Sequence, residues 1–469
     1  MQMRNDITEK NDETPSDGGM AGKKILVVGL GISGLWSSLC LAGKGAGVTV
    51  TEEREREDID PEVLSILANS GVLVESGGHQ LESFLHADMI VLSPGVPHDT
   101  PLIQSAATKG IPIIGEMELA ARFIKIPIIA VTGTNGKSSV TTLIGNMLEK
   151  AGKQVFAGGN LGIPLAAYVA RNEKADAIVA EVSSFQLDTM VSFCPEVSII
   201  LNISPDHLDR YKEYEDYVRS KLRIFENQGS GHYTIVNDND PVLHLTEAPS
   251  PVTMLRYGLE KMGGRHAFLD QNAIQAQLEG SKPCSFSLEH FSLPGAHNME
   301  NLMAVVLAGL ALQVDPEIIQ QTINEFKGLP HRLQMVEEIH GISFFNDSKA
   351  TNIDAAIRAI RSFDRPIILI AGGRHKGADY DPLVEAAKPN VKHAIFMGES
   401  GDILANAFEG HIPFSLVEDM KSAVTKALSK AAKGDAILLA PACSSFDMYS
   451  SYGHRGKTFN SAVRDLAHG

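Results

Sequence analysis

The sequence predicts an α/β fold of three domains in series: an N-terminal Rossmann-like unit, a central P-loop mononucleotide-binding unit and a C-terminal Rossmann-like doubly wound sheet. Three observations carry this. Short β-branched apolar runs alternate with helical patterns, the signature of parallel sheets covered by helices. Two glycine-rich turns, GLGISG at 29–34 and GTNGKS at 133–138, each follow an apolar run and precede a helical pattern. The chain has 469 residues, enough for about three domains of ~100–200 residues, each with its own core.

Composition narrows the function. At 43% hydrophobic and 21% charged residues the chain reads as a globular protein. Its net charge of −16 argues against nucleic acid as a partner, so any bound nucleotide must be held by local donors. The four cysteines (Cys40, Cys194, Cys284 and Cys443) show no CxxC pairing and read as reduced thiols of a cytoplasmic protein. The longest apolar stretch, 302–314, is too short to span a bilayer, so no membrane insertion is expected. Residues 1–21 are polar and acidic with no apolar core; they read as a disordered tail, neither signal peptide nor anchor.

The first domain is expected at 22–115. Strand candidates lie at 24–28, 47–50, 72–74, 89–92 and 112–114, with a helix at 35–41. The turn Gly29-Leu30-Gly31-Ile32-Ser33-Gly34 follows the first strand, and Glu52 and Glu53 end the second, as in a dinucleotide fingerprint. Taken alone it fits NAD or FAD, another nucleotide, or a purely structural turn. A second loop, Ser93-Pro94-Gly95, ends the fourth strand.

The second domain, 116–328, carries the stretch with the clearest chemistry. The apolar run 128–131 leads into Gly133-Thr134-Asn135-Gly136, then Lys137 and Ser138 at a helix start. Glycines let backbone N–H groups converge on phosphate oxygens, Lys137 supplies a cation, and the Ser138 hydroxyl can ligate Mg²⁺. Only two residues separate the glycines, where the usual P-loop has four, so a tight turn beside an exposed lysine is the plain alternative. Further on come GGNLG with Asn160, a strand from 177 ending at Glu181, and a strand at 197–202 followed by His207. Ser138, Glu181 and His207 form a donor set suited to Mg²⁺ or Mn²⁺ on phosphate, although each could be a turn or cap residue. On the helical segment 214–226, Val218, Leu222 and Phe225 form an apolar stripe, and Lys221 falls inside it. A snorkelling lysine is the ordinary reading of that position. Asn298 and Asn301 lie three apart at a later helix start, to read a base edge or to cap.

The third domain, 329–469, restarts the alternation with strands at 343–345, 366–371, 393–397, 414–416 and 436–440. Polar clusters follow three of them: NDSKATN at 346–352, GGRHKG at 372–377 and PACSS at 441–445.

GTNGKS, GGNLG, EVSSFQL, NISPDHLDRY, SKLRIFEN, GxHNxxN, GLPHR, NDSKATN and PACSS stand in one order, and from about residue 23 onward the chain resembles the Mur ligase family. NDSKATN, GGRHKGAD and PACSSFD resemble the branch that adds D-glutamate, and the DNPR-type motif of the diaminopimelate- or lysine-adding relatives is missing. The resemblance implies an ATP-dependent carboxylate–amine ligase with UDP-N-acetylmuramoyl-L-alanine and D-glutamate as substrates, acting as a monomer. It implies UDP-sugar contacts at Gly31, Ile32, Ser33, Glu52, Glu53, Arg54, Ser93, Pro94 and Gly95, with Asn160 and His207 nearer the reacting end. ATP falls to Gly133, Thr134, Asn135, Gly136, Lys137, Ser138, Ser139, Asn298, Asn301, Arg332 and Asp347. D-Glutamate falls to Lys349, Thr351, Lys376, Ser444, Ser445 and Tyr452. Two Mg²⁺ sites are implied (Mn²⁺ being an alternative), one at Ser138 and Glu181, one at His207 and a carbamylated Lys221. Lys137, Asn160, His207 and Lys221 are the implied catalytic set. Three other readings stay open on the residues alone: a nicotinamide oxidoreductase, a P-loop switch without catalysis, and a folate-type polyglutamylating enzyme.

Overall fold

The structure, a computed structural model, describes residues 19–160, 162–207, 210–291, 293–375, 377 and 379–468. It contains three sheets. The first has β1 (Lys24–Val28), β2 (Gly47–Thr51), β3 (Leu73–Glu75), β4 (Met89–Leu92) and β5 (Ile113–Gly115), in the order β3-β2-β1-β4-β5 and parallel throughout. Successive residues of β1 point to opposite faces, and both faces are covered. Val27 packs with Val50 and Val91, while Leu26 and Val28 pack with Ile90 and Leu92. That is why these strands read as unbroken apolar runs.

The second sheet is built on β6 (Ile128–Thr132), β7 (Val155–Gly159), β8 (Ala177–Glu181), β9 (Val197–Ile200), β10 (Tyr233–Asn237), β11 (Thr253–Gly258), β12 (Ala267–Asp270), β13 (Ala273–Ala276) and β14 (Cys284–Ser287). Its order is β14-β13-β12-β11-β10-β9-β6-β8-β7, with β6 paired parallel to β8 on one side and β9 on the other. The last two pairings, β12 with β13 and β13 with β14, are antiparallel. Periodicity did not reveal these short, half-buried strands.

The third sheet has β15 (Gln334–Ile339), β16 (Ile342–Asn346), β17 (Ile367–Gly372), β18 (Val391–Met397), β19 (Phe414–Leu416) and β20 (Ala436–Leu439), in the order β15-β16-β20-β17-β18-β19. Only β15 runs antiparallel. Within β17, Ile367 and Leu369 face one core and Ile368 and Ile370 the other.

Two sequence expectations need correction. Met20, inside the segment read as a tail, is only 2% exposed and packs with the core of the first sheet. The helix read at 214–226 is an α-helix only over Tyr214–Leu222, continued by a 3₁₀ turn at Arg223–Phe225.

Chain contacts divide the molecule into two compact units. One comprises Met1–Pro127, Gly158–Ala175 and Phe185–Phe193; the other comprises Ile128–Ala157, Asp176–Ser184 and Cys194–Gly469. Two buried carboxylates on the helix Glu116–Ala121 explain why the first unit recruits distant segments. Glu116 Oε1 accepts from the Ala166 N–H at 2.6 Å. Glu118 accepts from the N–H groups of Val191, Ser192 and Phe193 at 3.1, 2.9 and 2.9 Å, from the Ser192 hydroxyl at 2.6 Å and from Arg122 at 3.1 Å. Burial opposes the Glu118 charge, but these hydrogen bonds outweigh it and hold the carboxyl below its ordinary value. Glu118→Ala strands three N–H donors at once. It is expected to cost about 3 kcal/mol in urea unfolding; a loss under about 1 kcal/mol would show that the 191–193 turn is held by other contacts.

Candidate active site

The phosphate loop follows β6, the strand flanked by β8 and β9. Gly136 takes a left-handed backbone (φ 89°) just before the helix Lys137–Lys150, and a Cβ there would lie 2.5 Å from Asn301 Oδ1. A residue with a side chain is therefore excluded on both counts. The loop is braced from the end of β9. Thr134 N–H donates to the Asn202 carbonyl at 2.9 Å, and Asn135 N–H to Asn202 Oδ1 at 2.8 Å. Lys137 Nζ folds back over the loop and donates to the carbonyls of Gly133 (2.7 Å) and Thr134 (2.9 Å). Ser138 and Ser139 lie on the buried first turn of the helix.

Lys221 is 2% exposed, so it does not snorkel. Its Nζ donates to the same Gly133 carbonyl at 3.0 Å and lies 4.7 Å from the centre of the Tyr217 ring. Tyr217, one helical turn earlier, touches three sequence-predicted positions. Its hydroxyl is 3.1 Å from Thr134 Oγ1, and its ring centre is 6.3 Å from that of His207. Burial pushes the Tyr217 phenol far up, so it stays protonated. His207 has a left-handed backbone (φ 56°), and its N–H donates to Asp206 Oδ1 at 2.9 Å. Glu181, 2% exposed, ends β8 opposite Val131 of β6.

Three hydrogen bonds join this face to segments flanking the third sheet. Arg332 donates to Ser138 Oγ at 2.7 Å, Asn135 to Asp354 Oδ2 at 2.8 Å, and Asn352 to Asp206 Oδ2 at 2.9 Å. Asn298 and Asn301 open the helix Ala296–Ala311; Asn298 Nδ2 donates to the Pro294 carbonyl at 2.6 Å, and Asn301 is buried.

At the carboxyl edge of the third sheet, the loops after β16, β20 and β17 lie side by side. Lys349 Nζ lies 4.0 Å from the Tyr452 ring centre, and the Thr351 N–H donates to the Lys349 carbonyl at 2.8 Å. Ser444 and Ser445 are buried in the loop after β20. Lys376 lies outside the described residues. Beneath the loops sits Arg455, 2% exposed. It donates to Ser348 Oγ (3.0 Å) and to the carbonyls of Ser348 (2.9 Å), Cys443 (3.1 Å), Ser444 (3.2 Å) and Gly372 (3.3 Å).

In the first unit the GLGISG turn lies where the chain switches direction across the sheet, between β1 and β4. A Cβ on Gly34 would fall 1.9 Å from the Gly29 carbonyl, which is the close helix–strand packing that the third glycine permits. Gly31 and Ile32 are exposed at its tip, Ser33 is half-buried, and Ser93 Oγ donates to the Gly29 carbonyl at 2.9 Å beside Pro94 and Gly95. Glu52 accepts from the Leu30 N–H (2.6 Å) and from Arg54 Nε (3.1 Å), whereas the Glu53 side chain is 84% exposed. Burial would raise the Glu52 carboxyl, but these donors outweigh it and hold it at about 2. Asn160 also belongs to this unit.

Among the described residues no group of three or more His, Cys, Asp or Glu side chains is assembled to hold a metal by itself. Ser138 hydroxyl and Glu181 carboxylate at the phosphate loop suit Mg²⁺, which takes few protein ligands and completes its shell with phosphate oxygens and water. As an ammonium, Lys221 has no lone pair to offer a metal, and its Nζ donates to the Gly133 carbonyl.

The sequence matches three family models: a Mur ligase MurD-like N-terminal domain over residues 23–115, a Mur ligase middle domain over 131–309 and a Mur ligase glutamate ligase domain over 331–443. A UDP-N-acetylmuramoylalanine–D-glutamate ligase of Desulfosudis oleivorans is 43% identical over 95% of this chain and 97% of its own length. The chain belongs to the Mur ligase family. A ligase of the same name from Geotalea uraniireducens is 39% identical, covering 96% of this chain and 99% of its own. The fold is also that of a pseudomurein peptide ligase type C from Methanothermus fervidus, with a TM-score of 0.60 at 21% identity over 95% of this chain and 100% of that one.

Sequence reasoning missed several residues in this Mur ligase. Tyr217 was findable, since it lies four before Lys221 on one helix face. Arg455, Asp354 and Asp206 gave no signal, because their partners lie far along the chain. Asp347, almost fully buried, shows how the Mur ligase site stores charge: burial raises its carboxyl to about 7 despite nearby Arg332 and the Leu333 N–H. A carboxyl with a raised folded value takes up a proton on folding, so its contribution to stability is lost as pH rises from about 4 through 7. Asp347→Asn removes that loss. In the ligand-free protein its stability relative to wild type is expected to rise by about 4 kcal/mol between pH 4 and 7, then level. A pH-independent difference in denaturant midpoints would rule this out.

Proposed function

We propose that this chain joins D-glutamate to UDP-N-acetylmuramoyl-L-alanine at the expense of ATP, releasing ADP and phosphate, in the cytoplasmic synthesis of peptidoglycan precursors. The observation that carries the reading is the meeting of Lys137 and Lys221 on one carbonyl of the phosphate loop, between the strands that lead to Glu181 and His207. The names of the relatives supply the substrates, and NDSKATN, GGRHKGAD and PACSSFD stand behind the choice of D-glutamate.

A free carboxylate does not acylate an amine at neutral pH, because the leaving group would be oxide. In the proposed reaction the alanyl carboxylate attacks the γ-phosphorus of ATP; the bond to ADP breaks and an acyl phosphate forms. The amine of D-glutamate then attacks the acyl carbon, phosphate leaves, and the amine gives up its proton. Lys137 holds the phosphoryl oxygens on which charge builds. Ser138 and Glu181 hold Mg²⁺, which when bound neutralises the outer phosphates, and His207 and a carbamylated Lys221 are the residues for a second ion. Asn298 and Asn301 face adenine, with Arg332 and Asp347 completing the ATP site. Gly31, Ile32, Ser33, Glu52, Arg54 and Ser93 to Gly95 receive the UDP, and Asn160 orients the sugar end. Lys349, Thr351, Lys376, Ser444, Ser445 and Tyr452 receive D-glutamate. The ligase works as a monomer, and no helix among the described residues is long and apolar enough to cross a membrane.

The deciding assay is phosphate release from ATP with UDP-N-acetylmuramoyl-L-alanine and each candidate amino acid. D-Glutamate should support turnover at least ~100-fold better than L-glutamate or a diamino acid, because a fixed donor array reads both carboxylates and the chiral centre. Equal rates with L-lysine would move the chain to a sister activity.

Lys221 gives a second test. Lys221 is buried, and the loss of hydration disfavours an ammonium and favours the neutral amine. A neutral amine adds CO₂ and loses a proton to become a carbamate, reversing the local charge. Lys221→Ala should therefore lose at least ~100-fold in turnover while staying folded, with partial rescue by short carboxylates. An active variant, or an unmodified Lys221 mass in the active enzyme, would overturn this assignment.

A further inference from the structure

Beneath the loops of the third sheet runs a chain of polar groups to which the proposed reaction assigns no part, although Gly373, His375 and Cys443 lie within GGRHKGAD and PACSSFD. The Gly373 N–H donates to Ser400 Oγ at 3.1 Å. Ser400 Oγ lies 3.2 Å from Cys443 Sγ, Cys443 Sγ lies 3.0 Å from the Tyr380 hydroxyl, and that hydroxyl lies 3.0 Å from His375 Nδ1. Tyr380, Ser400 and Cys443 are all buried. Burial pushes both the Tyr380 phenol and the Cys443 thiol up, so each keeps its proton and remains a donor.

Ser400 accepts from Gly373, and the Ser400 hydroxyl, the Cys443 thiol and the Tyr380 phenol each have one proton to give and a lone pair to receive, so hydrogen bonds continue from Ser400 to His375 Nδ1. The chain leaves the loop after β17 at Gly373 and returns to it at His375. Its middle passes through Cys443, in the loop after β20 that carries Ser444 and Ser445. The same two loops touch directly, since the Arg374 N–H donates to the Ser444 carbonyl at 2.9 Å.

We propose that Tyr380 is a positioning residue for the amino-acid substrate: its hydroxyl ties the loop after β20 to the start of the helix after β17, setting where Ser444 and Ser445 stand to receive a substrate carboxylate. This rests on the ligase reading above. Tyr380 touches no substrate; it acts through His375 and Cys443.

The test is Tyr380→Phe, which deletes one oxygen and keeps the ring in the core. The KM for D-glutamate should rise about tenfold, the cost of one buried hydrogen-bond link, with the KM for ATP changed less than twofold and Tm within a few degrees of wild type. Cys443→Ala should act in the same direction, Cys443→Ser should stay near wild type, and Tyr380→Phe with Cys443→Ala should be no worse than either alone. An unchanged amino-acid KM in Tyr380→Phe overturns the proposal. So does a parallel rise of both KM values with a fallen Tm, which marks a merely structural hydroxyl. Should wild type turn over with another amino acid and not D-glutamate, the ligase assignment fails on its own; the same KM ratio, read with that amino acid, still decides the role of Tyr380.

Discussion

One carbonyl oxygen sets the terms for the centre of this ligase. Gly133 C=O receives Lys137 from within the phosphate loop and Lys221 from a helix 84 residues further along. An oxygen with two lone pairs can accept both, so the loop fixes where two side-chain nitrogens sit. Its backbone is pinned by Asn202 and its flank by Thr134 and Tyr217, so the donors do not need to be assembled when phosphate binds.

The bond from Arg332 to the Ser138 hydroxyl shows how the third sheet is tied to nucleotide chemistry. A hydroxyl that accepts from a guanidinium has a lone pair already engaged. A metal at Ser138 has to share or displace that bond, at about the cost of one charge-assisted hydrogen bond. Asn135 with Asp354 and Asp206 with Asn352 brace the same face. The phosphate loop is thereby tied directly to segments that flank the third sheet.

Much of this was legible in the sequence because it follows local rules. All five strands of the first sheet and all the parallel strands of the third that were expected are present, with ends shifted by one or two residues. Two-sided burial made the inner ones, β1, β4, β17 and β20, continuous apolar runs. The hairpin strands β13 and β14 escaped because they are short and half-exposed, and β15 because Met335 is exposed and Glu337 and Glu338 stand side by side in it. Lys221 stood out in sequence because a cation in an apolar stripe breaks a pattern. Arg455 did not, for the opposite reason: its partners are backbone carbonyls, which leave no trace in residue identity. Glu118 belongs with it, a carboxylate whose ligands are three peptide N–H groups more than seventy residues away.

The first compact unit is assembled from three separated stretches of chain, clipped together by Glu116 and Glu118. Gene order and physical modularity therefore disagree. A recombination event near codon 127 would exchange the first sheet with its acidic helix but leave 158–175 and 185–193 behind, matched to a foreign helix. Only an incoming helix that presents the same two carboxylates could hold those segments. Exchange of the first sheet by itself is thus restricted by two buried side chains, Glu116 and Glu118.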